Sequence, residues 1–341
     1  MKETLHKVDG VSVLLPVYCA AGRDPVPVGE QLAEAIRSVL TQDVSVTLEI
    51  VCVDDGSAVP VAELLERQGL LGHPALRLVR HHRNYGLVHA LNTALASAHH
   101  ELIGRIDADD IWLPGKLASQ VAAMAADPDL SLIATGMRLA ADPPQDHLRK
   151  GSWTEILRFF EEVGCPFPHG SILARRRIFR LLGGYSHDPA VRHCEDYALW
   201  GTWLRFFKVS MIEEILFEYR PSDHSVSTAH VVCQRQASGR VNLGFRRLPR
   251  RMEIPVLLPE LAQALGVTMM EAGIVALSLW RLVDGTFVLP PEALPVLRGL
   301  LPDRDLLPVA FCLGAPHILT LLDGHATFPF GQPLTTVRIL A

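Results

Sequence analysis

Three short, largely apolar segments of this chain each run straight into a polar cluster. Residues 11–17 end at Pro16-Val17-Tyr18, residues 48–53 lead into Asp54-Asp55-Gly56-Ser57, and residues 102–106 lead into Asp107-Ala108-Asp109-Asp110. A strand with one wet face alternates apolar and polar residues. A near-continuous apolar run suits a strand covered on both faces, as in a parallel sheet. Between these runs the spacing changes to that of helices. Leu32, Ile36, Val39 and Leu40 mark a helix over 29–42, a second lies at 60–68, and Leu87, Ala90, Leu91, Ala94 and Leu95 mark a third over 87–98. With a further strand at 76–80, strands and helices alternate, which predicts a parallel sheet with helices on both faces. Ligands of such sheets bind outside the carboxyl ends of the strands, so the three polar clusters should meet on one rim.

Beyond the third cluster the pattern predicts a helix over 114–126, a strand over 130–135 and a polar, Pro-rich mobile loop over 140–152. A helix over 153–163 and a strand over 171–174 follow. Arg175-Arg176-Arg177 reads as a solvated helix start, or as a means of steering an anionic acceptor. A Trp- and Leu-rich helix opens at Glu195 and runs to about Phe207, and a strand covers 209–219. From about residue 229 strand signals vanish. Helices are expected at 230–246, 256–283, 291–300 and 305–322. The expected division is an α/β unit over 1–228 and a helical accessory domain over 229–341.

Net charge and cysteine usage narrow the function classes. A net charge of −5 argues against a general nucleic-acid binder, which needs clustered Lys and Arg. The six cysteines are scattered with no CxxC, so they read as free thiols in a reducing compartment. The first ten residues are charged and polar, unlike a signal peptide. No apolar stretch is long enough to span a bilayer. The expected location is cytoplasmic, with the inner face of the membrane as a peripheral site.

In extended chain, residues i and i+2 share a face, so Asp107 and Asp109 should point together. Two like charges that close need a cation, and a hard divalent ion with oxygen ligands is the natural one.

Taken together, the residues resemble family 2 glycosyltransferases of GT-A fold. On the donor side the resemblance rests on Val13-Leu14-Leu15-Pro16-Val17-Tyr18, Val53-Asp54-Asp55-Gly56-Ser57, Asn84-x-Gly86 with Ala90-Leu91-Asn92, and Asp107-Ala108-Asp109-Asp110. On the acceptor side it rests on His169-Gly170-Ser171, Gly183-Gly184-Tyr185 and Glu195-Asp196-Tyr197. It covers about residues 11–228. It implies a Rossmann-like, mostly parallel sheet flanked by helices, here with a C-terminal helical appendage. It also implies inverting transfer of a sugar from a nucleotide diphosphate sugar, UDP-sugars favoured, to an acceptor hydroxyl. The family's usual setting is bacterial cell-surface polysaccharide synthesis, with a glycan or lipid-linked acceptor. By resemblance, Asp109 ligates Mn2+ or Mg2+ and Asp107 supports the metal or ribose. Pro16, Tyr18, Asp54, Asp55, Asn84, Gly86 and Arg105 serve the nucleotide donor. His169, Gly184 and Tyr185 stand on the acceptor side, Asp196 is the general base, and Glu195 is its neighbour. Asp110 is expected to cap the turn before Pro114.

Two positions depart from the family's pattern. Cys19 stands where Asn is common. Ser222 stands where a metal-reaching His is common, which leaves His224 as the candidate ligand.

A sugar-nucleotide pyrophosphorylase would show a Gly-rich basic loop after the first strand, but residues 19–29 hold Arg23 as their one cation. A non-catalytic sugar-binding protein of the same fold is the third reading. The helical tail is expected to pack and form a homodimer. Its sparse Lys and Arg weaken the alternative of a membrane-surface platform.

Overall fold

The computed structural model describes residues 9–149, 151–221, 230–246 and 253–283; the helices expected at 291–300 and 305–322, and His224, lie outside them. The first half forms as the apolar runs predict. Strands β1 (Gly10–Val17), β2 (Thr47–Asp54), β3 (Leu76–Arg80) and β4 (Leu102–Arg105) are parallel, with Val17 beside Asp54 and Leu14 beside Arg105. Every residue of β1 is buried, which is why it shows no alternation. Helices α1 (Pro25–Leu40), α2 (Val61–Arg67) and α3 (Leu87–Ser97) connect these strands. The start of α1 lies earlier than the expected Gly29. Asp24 caps it by accepting from the Val26 amide, and Pro25 sits in the first turn, where its missing N–H costs nothing.

The second half is less regular. It comprises β5 (Ile111–Trp112), α4 (Lys116–Ala126), β6 (Leu132–Leu139), β7 (Gln145–His147), α5 (Trp153–Glu162), β8 (Leu173–Arg175), α6 (Arg176–Leu182), α7 (Glu195–Phe206) and β9 (Val209–Tyr219). The sheet order is β3-β2-β1-β4-β8-β6-β9-β5, with β7 added to β6. The sheet is mixed, with the longer ladders parallel and the short ones antiparallel. β8 lies antiparallel between β4 and β6, β5 is antiparallel to β9, and β6 and β9 are parallel. Segments β5 and β7 are too short to carry a period. The stretch expected as a mobile loop contains β7, which pairs Met137 with His147 and is pinned by an Arg138–Asp146 ion pair.

Arg175 is not solvated. It is buried, and its guanidinium donates to the carbonyls of Leu130 and Pro128 at 2.9 and 3.2 Å. Arg176 reaches the Ala98 carbonyl and Arg177 pairs with Glu101. The triplet ties the β4–β8 region together, since carbonyls at loop ends need donors once they are buried.

Helices cover both faces of the sheet. Leu32, Ile36 and Val39 of α1 pack with Leu117 and Met124 of α4 on one side. Leu91, Phe160, Phe179, Trp200 and Trp203 pack on the other. Three further helices, α8 (Val231–Arg246), α9 (Ile254–Leu265) and α10 (Met269–Val283), add Ala237, Phe245, Leu261 and Leu277 to that second cluster. Among the described residues no helix is long and apolar enough to cross a membrane.

Candidate active site

A cleft of about 1070 Å³ opens at the carboxyl ends of β1 and β4. The chain winds outward from β1 through β2 to β3, then returns to place β4 on the other flank of β1. A reversal of this kind leaves a crevice between neighbouring strands, and ligands bind there. Pro16 and half-exposed Tyr18 stand at the end of β1, and both line the cleft.

The two aspartates ending β2 have different fates. Asp54 is fully buried and points away from the cleft. One of its oxygens accepts from the Ser57 amide at 2.8 Å, the other from the Val61 amide at 3.1 Å, and Arg80 approaches within 3.4 Å. It closes the turn and caps α2. Asp55 lines the cleft. Its carboxylate accepts from the amides of Tyr85 and Gly86 at 3.0 and 2.8 Å, and His81 Nδ1 lies 2.7 Å away. Asp55 thus organises the segment that presents Asn84 and Gly86 on the same wall.

The end of β4 carries a different kind of cluster. Arg105 is buried, its Nη2 is paired with Asp107, and its Nε finds no partner among the described residues. Burial pulls the guanidinium's pKa down, but Asp107 and Asp110 outweigh it and the net shift is upward. Burial, then the Asp107 charge, raises Asp109 above the usual carboxylate range. The same two causes hold Asp110 well above that range. One Asp110 oxygen accepts from the Arg220 amide at 3.0 Å, and the other, buried, has no partner among the described residues. Asp110 is therefore not a local cap for the turn before Pro114. It ties that turn to the chain leaving β9.

Behind this cluster lies a tightly fitted layer. Trp112 Nε1 donates to the Gly170 carbonyl at 2.9 Å. A Cβ on Gly104 would meet the Trp112 ring at 2.6 Å, and one on Gly170 would meet the Phe217 ring at 2.4 Å. Lys116 lies over the Trp112 ring, 3.7 Å from its centre, and donates to Gln120 Oε1 at 2.9 Å. Gln120 in turn donates to the carbonyls of Ile133 and Ser171. Burial alone holds the Lys116 amine well below its usual pKa. The layer locks the turn at 169–171 to the β5 segment.

His169 lines the cleft and shares a 2.8 Å hydrogen bond with the Tyr185 hydroxyl. Burial, then the Arg105 charge, pulls His169 well below the usual imidazole range, so it is neutral at pH 7. Tyr185 and Gly184 are not on the cleft wall. The Tyr185 backbone is clamped by Asn92 through two bonds of 2.9 Å. Gly184 has φ +74°, and a Cβ there would meet Asn92 Oδ1 at 2.6 Å. These residues hold His169 from behind.

Glu195 and Asp196 open α7 and line the cleft, where the helix N-terminus favours negative charge. Burial raises both, with the Asp196 charge second for Glu195. For Asp196 the Tyr197 amide and Arg105 act the other way.

The cleft therefore gathers Pro16, Tyr18, Asp55, Asn84, Gly86, Arg105, Asp107, Asp109, His169, Glu195 and Asp196, and leaves Asp54, Gly184 and Tyr185 behind its walls. It also takes in residues that the motifs did not single out: Arg23, Arg149, His193 and His230. His193 has φ +65° and stacks on His230, with rings 4.0 Å apart and 6° from parallel. Its position two residues before Glu195 was the one available signal. Arg149 comes from the supposed loop and donates to the Cys165 carbonyl at 3.1 Å.

Among the described residues no three His, Cys, Asp or Glu side chains converge tightly enough to enclose a metal ion by themselves. The donor set nevertheless fits a hard divalent cation. Asp107 and Asp109, like charges crowded on the cleft wall, suit an ion that takes one or two protein oxygens and completes its shell from phosphate and water.

Comparison with known proteins agrees with this geometry. The model of the family described as glycosyl transferase family 2 matches residues 12–182. The chain is 28% identical over 219 residues to EpsE of Bacillus subtilis (strain 168), covering 62% of this chain and 72% of that one. It is 29% identical over 205 residues to the amylovoran biosynthesis glycosyltransferase AmsE of Erwinia amylovora, covering 58% and 73%. Among solved structures, TarS 1–349 of S. aureus in complex with UDP-GlcNAc superposes with a TM-score of 0.51 at 16% identity, over 92% of this chain and 83% of that one. The mannosyltransferase PcManGT of Pyrobaculum calidifontis, in complex with GDP-Man and Mn2+, gives 0.51 at 20% identity, over 92% and 85%. These structures share the GT-A fold with this chain.

Proposed function

This chain belongs to glycosyl transferase family 2 and is a glycosyltransferase, and from that premise we propose the donor, the acceptor class and the roles of individual residues. The donor is a nucleoside diphosphate sugar, UDP-sugars favoured. The acceptor is a hydroxyl of a growing bacterial surface polysaccharide, free or lipid-linked. The complex of TarS with UDP-GlcNAc and the naming of AmsE for amylovoran biosynthesis support this reading. The observation that carries it is the meeting of Asp107 and Asp109, from the end of β4, with Glu195 and Asp196, from the start of α7, on the walls of one cleft.

In the proposed reaction Asp196 takes the proton of the acceptor hydroxyl as its oxygen attacks the anomeric carbon. The bond from that carbon to the diphosphate breaks, and the nucleoside diphosphate leaves with the bonding electrons. Glu195 keeps the second carboxylate beside the base. Asp55, with Pro16 and Tyr18, flanks the nucleotide, while Asn84 and Gly86 form the adjoining wall. Asp54 acts only by holding the turn that carries Asp55. Arg105 holds Asp107 in place at the cleft wall. His169, fixed by Tyr185 and Gly184, faces the acceptor as a neutral hydrogen-bonding group. Asp109, with Asp107 beside it, would hold Mn2+ or Mg2+, and His224 is proposed as a further ligand. When bound, such an ion offsets the charge that develops on the leaving diphosphate. The Mn2+ in the PcManGT complex supports a divalent ion here. Residues 1–228 form the proposed catalytic unit, and 229–341 an accessory part that contacts the membrane surface or a second copy.

The test is transfer from a panel of nucleoside diphosphate sugars with manganese present. Asp196→Asn should lower the rate by about 10² to 10⁴, the usual worth of a general base. Nucleotide binding, read as a rise in melting temperature, should persist. Because burial holds the Asp196 carboxyl above its ordinary range, the wild-type rate should climb with pH as that group ionises, from above about pH 4. An Asp196→Asn enzyme with undiminished transfer would overturn the assignment.

A further inference from the structure

Between Asp223 and Glu253 the chain holds six arginines and no lysine, aspartate or glutamate. This segment carries +6, and with the whole chain at −5 the remainder carries −11. The tail's basic residues are thus concentrated around α8 rather than thinly spread. Ala237 and Phe245 turn the inner side of α8 into the core, where Phe245 meets Phe160. The outer side exposes Val232, Arg235, Gln236, Arg240 and Leu243. Val232 is 68% and Leu243 50% exposed, and both stand among the arginines. Arg240 and Arg246 donate to the carbonyls of Ala190 and Glu161, at 3.2 and 3.0 Å, which steadies the side chains without neutralising them through those bonds. Val163, close by Glu161 at the end of α5, is 70% exposed. At its other end the helix adjoins the cleft, because His230 and Gln234 belong to the cleft lining.

We propose that the outer face of α8 is a docking surface for an anionic lipid bilayer, with Arg235 and Arg240 at the headgroup phosphates and Val232 and Leu243 entering between them. Interleaved cationic and apolar side chains on one helix face suit the interface of a charged membrane, where each supplies part of the attraction. A nucleic acid would use the arginines and gain little from exposed valine and leucine. The location gives docking a purpose that rests on the reading of a lipid-linked acceptor: it sets the cleft mouth at the headgroup plane. The docking itself is independent of turnover.

The full-length protein, without substrate, is floated with vesicles of phosphatidylcholine alone or with about one third phosphatidylglycerol. The expected result is flotation with the anionic vesicles at low salt, little with the neutral ones, and release at high salt as screening shortens the reach of the charges. Arg235→Gln combined with Arg240→Gln should lower the partition coefficient roughly 25-fold, at about fivefold per charge. Val232→Ser combined with Leu243→Ser should lower it as well, which a purely electrostatic contact would not show. The same variants should transfer sugar to a soluble acceptor at the wild-type rate. Absence of flotation, equal binding to neutral vesicles, or binding that ignores the arginine changes would overturn the docking surface. Loss of transfer to soluble acceptors in the wild-type protein would instead count against the catalytic reading. The salt comparison uses the unaltered protein, so the test holds even where a variant folds poorly.

Discussion

The aspartates ending β2 and those following β4 occupy equivalent places in the sheet and behave in opposite ways. Asp54 and Asp55 have their oxygens engaged by backbone amides of the same chain, at 2.8 to 3.1 Å. Asp107, Asp109 and Asp110 are crowded together with Arg105 as the buried cation among them, and one Asp110 oxygen has no partner among the described residues. The first cluster is satisfied by the fold. The second is left in need of positive charge by the fold. A carboxylate with its partners already in place builds the site, whereas one without them is free to serve a ligand.

This contrast can be broken by separating activity from stability. The largest effect is expected at Asp109. Asp109→Ala should reduce sugar transfer about a thousandfold, the several kcal/mol that compensation of leaving-group charge supplies, and EDTA should reproduce the loss. Its melting temperature should not fall, because a like charge has been removed. Transfer unaffected by both treatments would remove Asp109 from the metal site.

Asp54→Ala should show the reverse. Two buried amides lose their acceptor and α2 loses its cap, a destabilisation of about 2–3 kcal/mol in urea titration. Transfer per folded molecule should change little. A stable Asp54→Ala protein with crippled transfer would erase the distinction between the clusters.

The smallest effect sharpens it. A carboxylate whose folded pKa exceeds its unfolded value takes up protons on folding, so its contribution is intact at low pH and declines as pH rises towards the folded value. Asp109 and Asp110 are of this kind. The metal-free protein should therefore lose stability through these groups as pH rises from about 4. Asp110→Asn keeps the acceptor for the Arg220 amide and should raise the melting temperature by about 2 °C at neutral pH. The gain should vanish near pH 4, and a variant less stable at every pH would show that the bare oxygen is not a strain on the fold.

The sequence makes one of these clusters easier to read than the other. Asp107 and Asp109 announce themselves by crowding, which is local. The fate of Asp54 is set partly by a local turn contact at Ser57 and partly by the Val61 amide, but that of Asp55 depends on residues 81, 85 and 86, which no spacing rule brings near. The parallel strands were legible because burial on both faces removes polar alternation. The two-residue β5 and the edge strand β7 were not, since pairing with β9 and β6 defines them. Arg175 misled for a related reason: a basic triplet ordinarily faces water, but here the carbonyls of Leu130 and Pro128 were waiting for a buried donor. Arg149, His193 and His230 reach the cleft only through tertiary folding.

The layer around Trp112 has a consequence for how such a chain can change over generations. With Gly104 on one side and the Gly170 carbonyl held on the other, neither neighbour has room for even one added methyl group. Replacing either glycine by alanine alone drives a methyl group into an aromatic ring, Trp112 from Gly104 and Phe217 from Gly170, so a change at either turn has to begin at the ring. The rim is built differently: Arg23, Arg149 and the stacked His193–His230 pair line the cleft without a glycine wedged against a ring, which leaves more room for replacement there than at the centre.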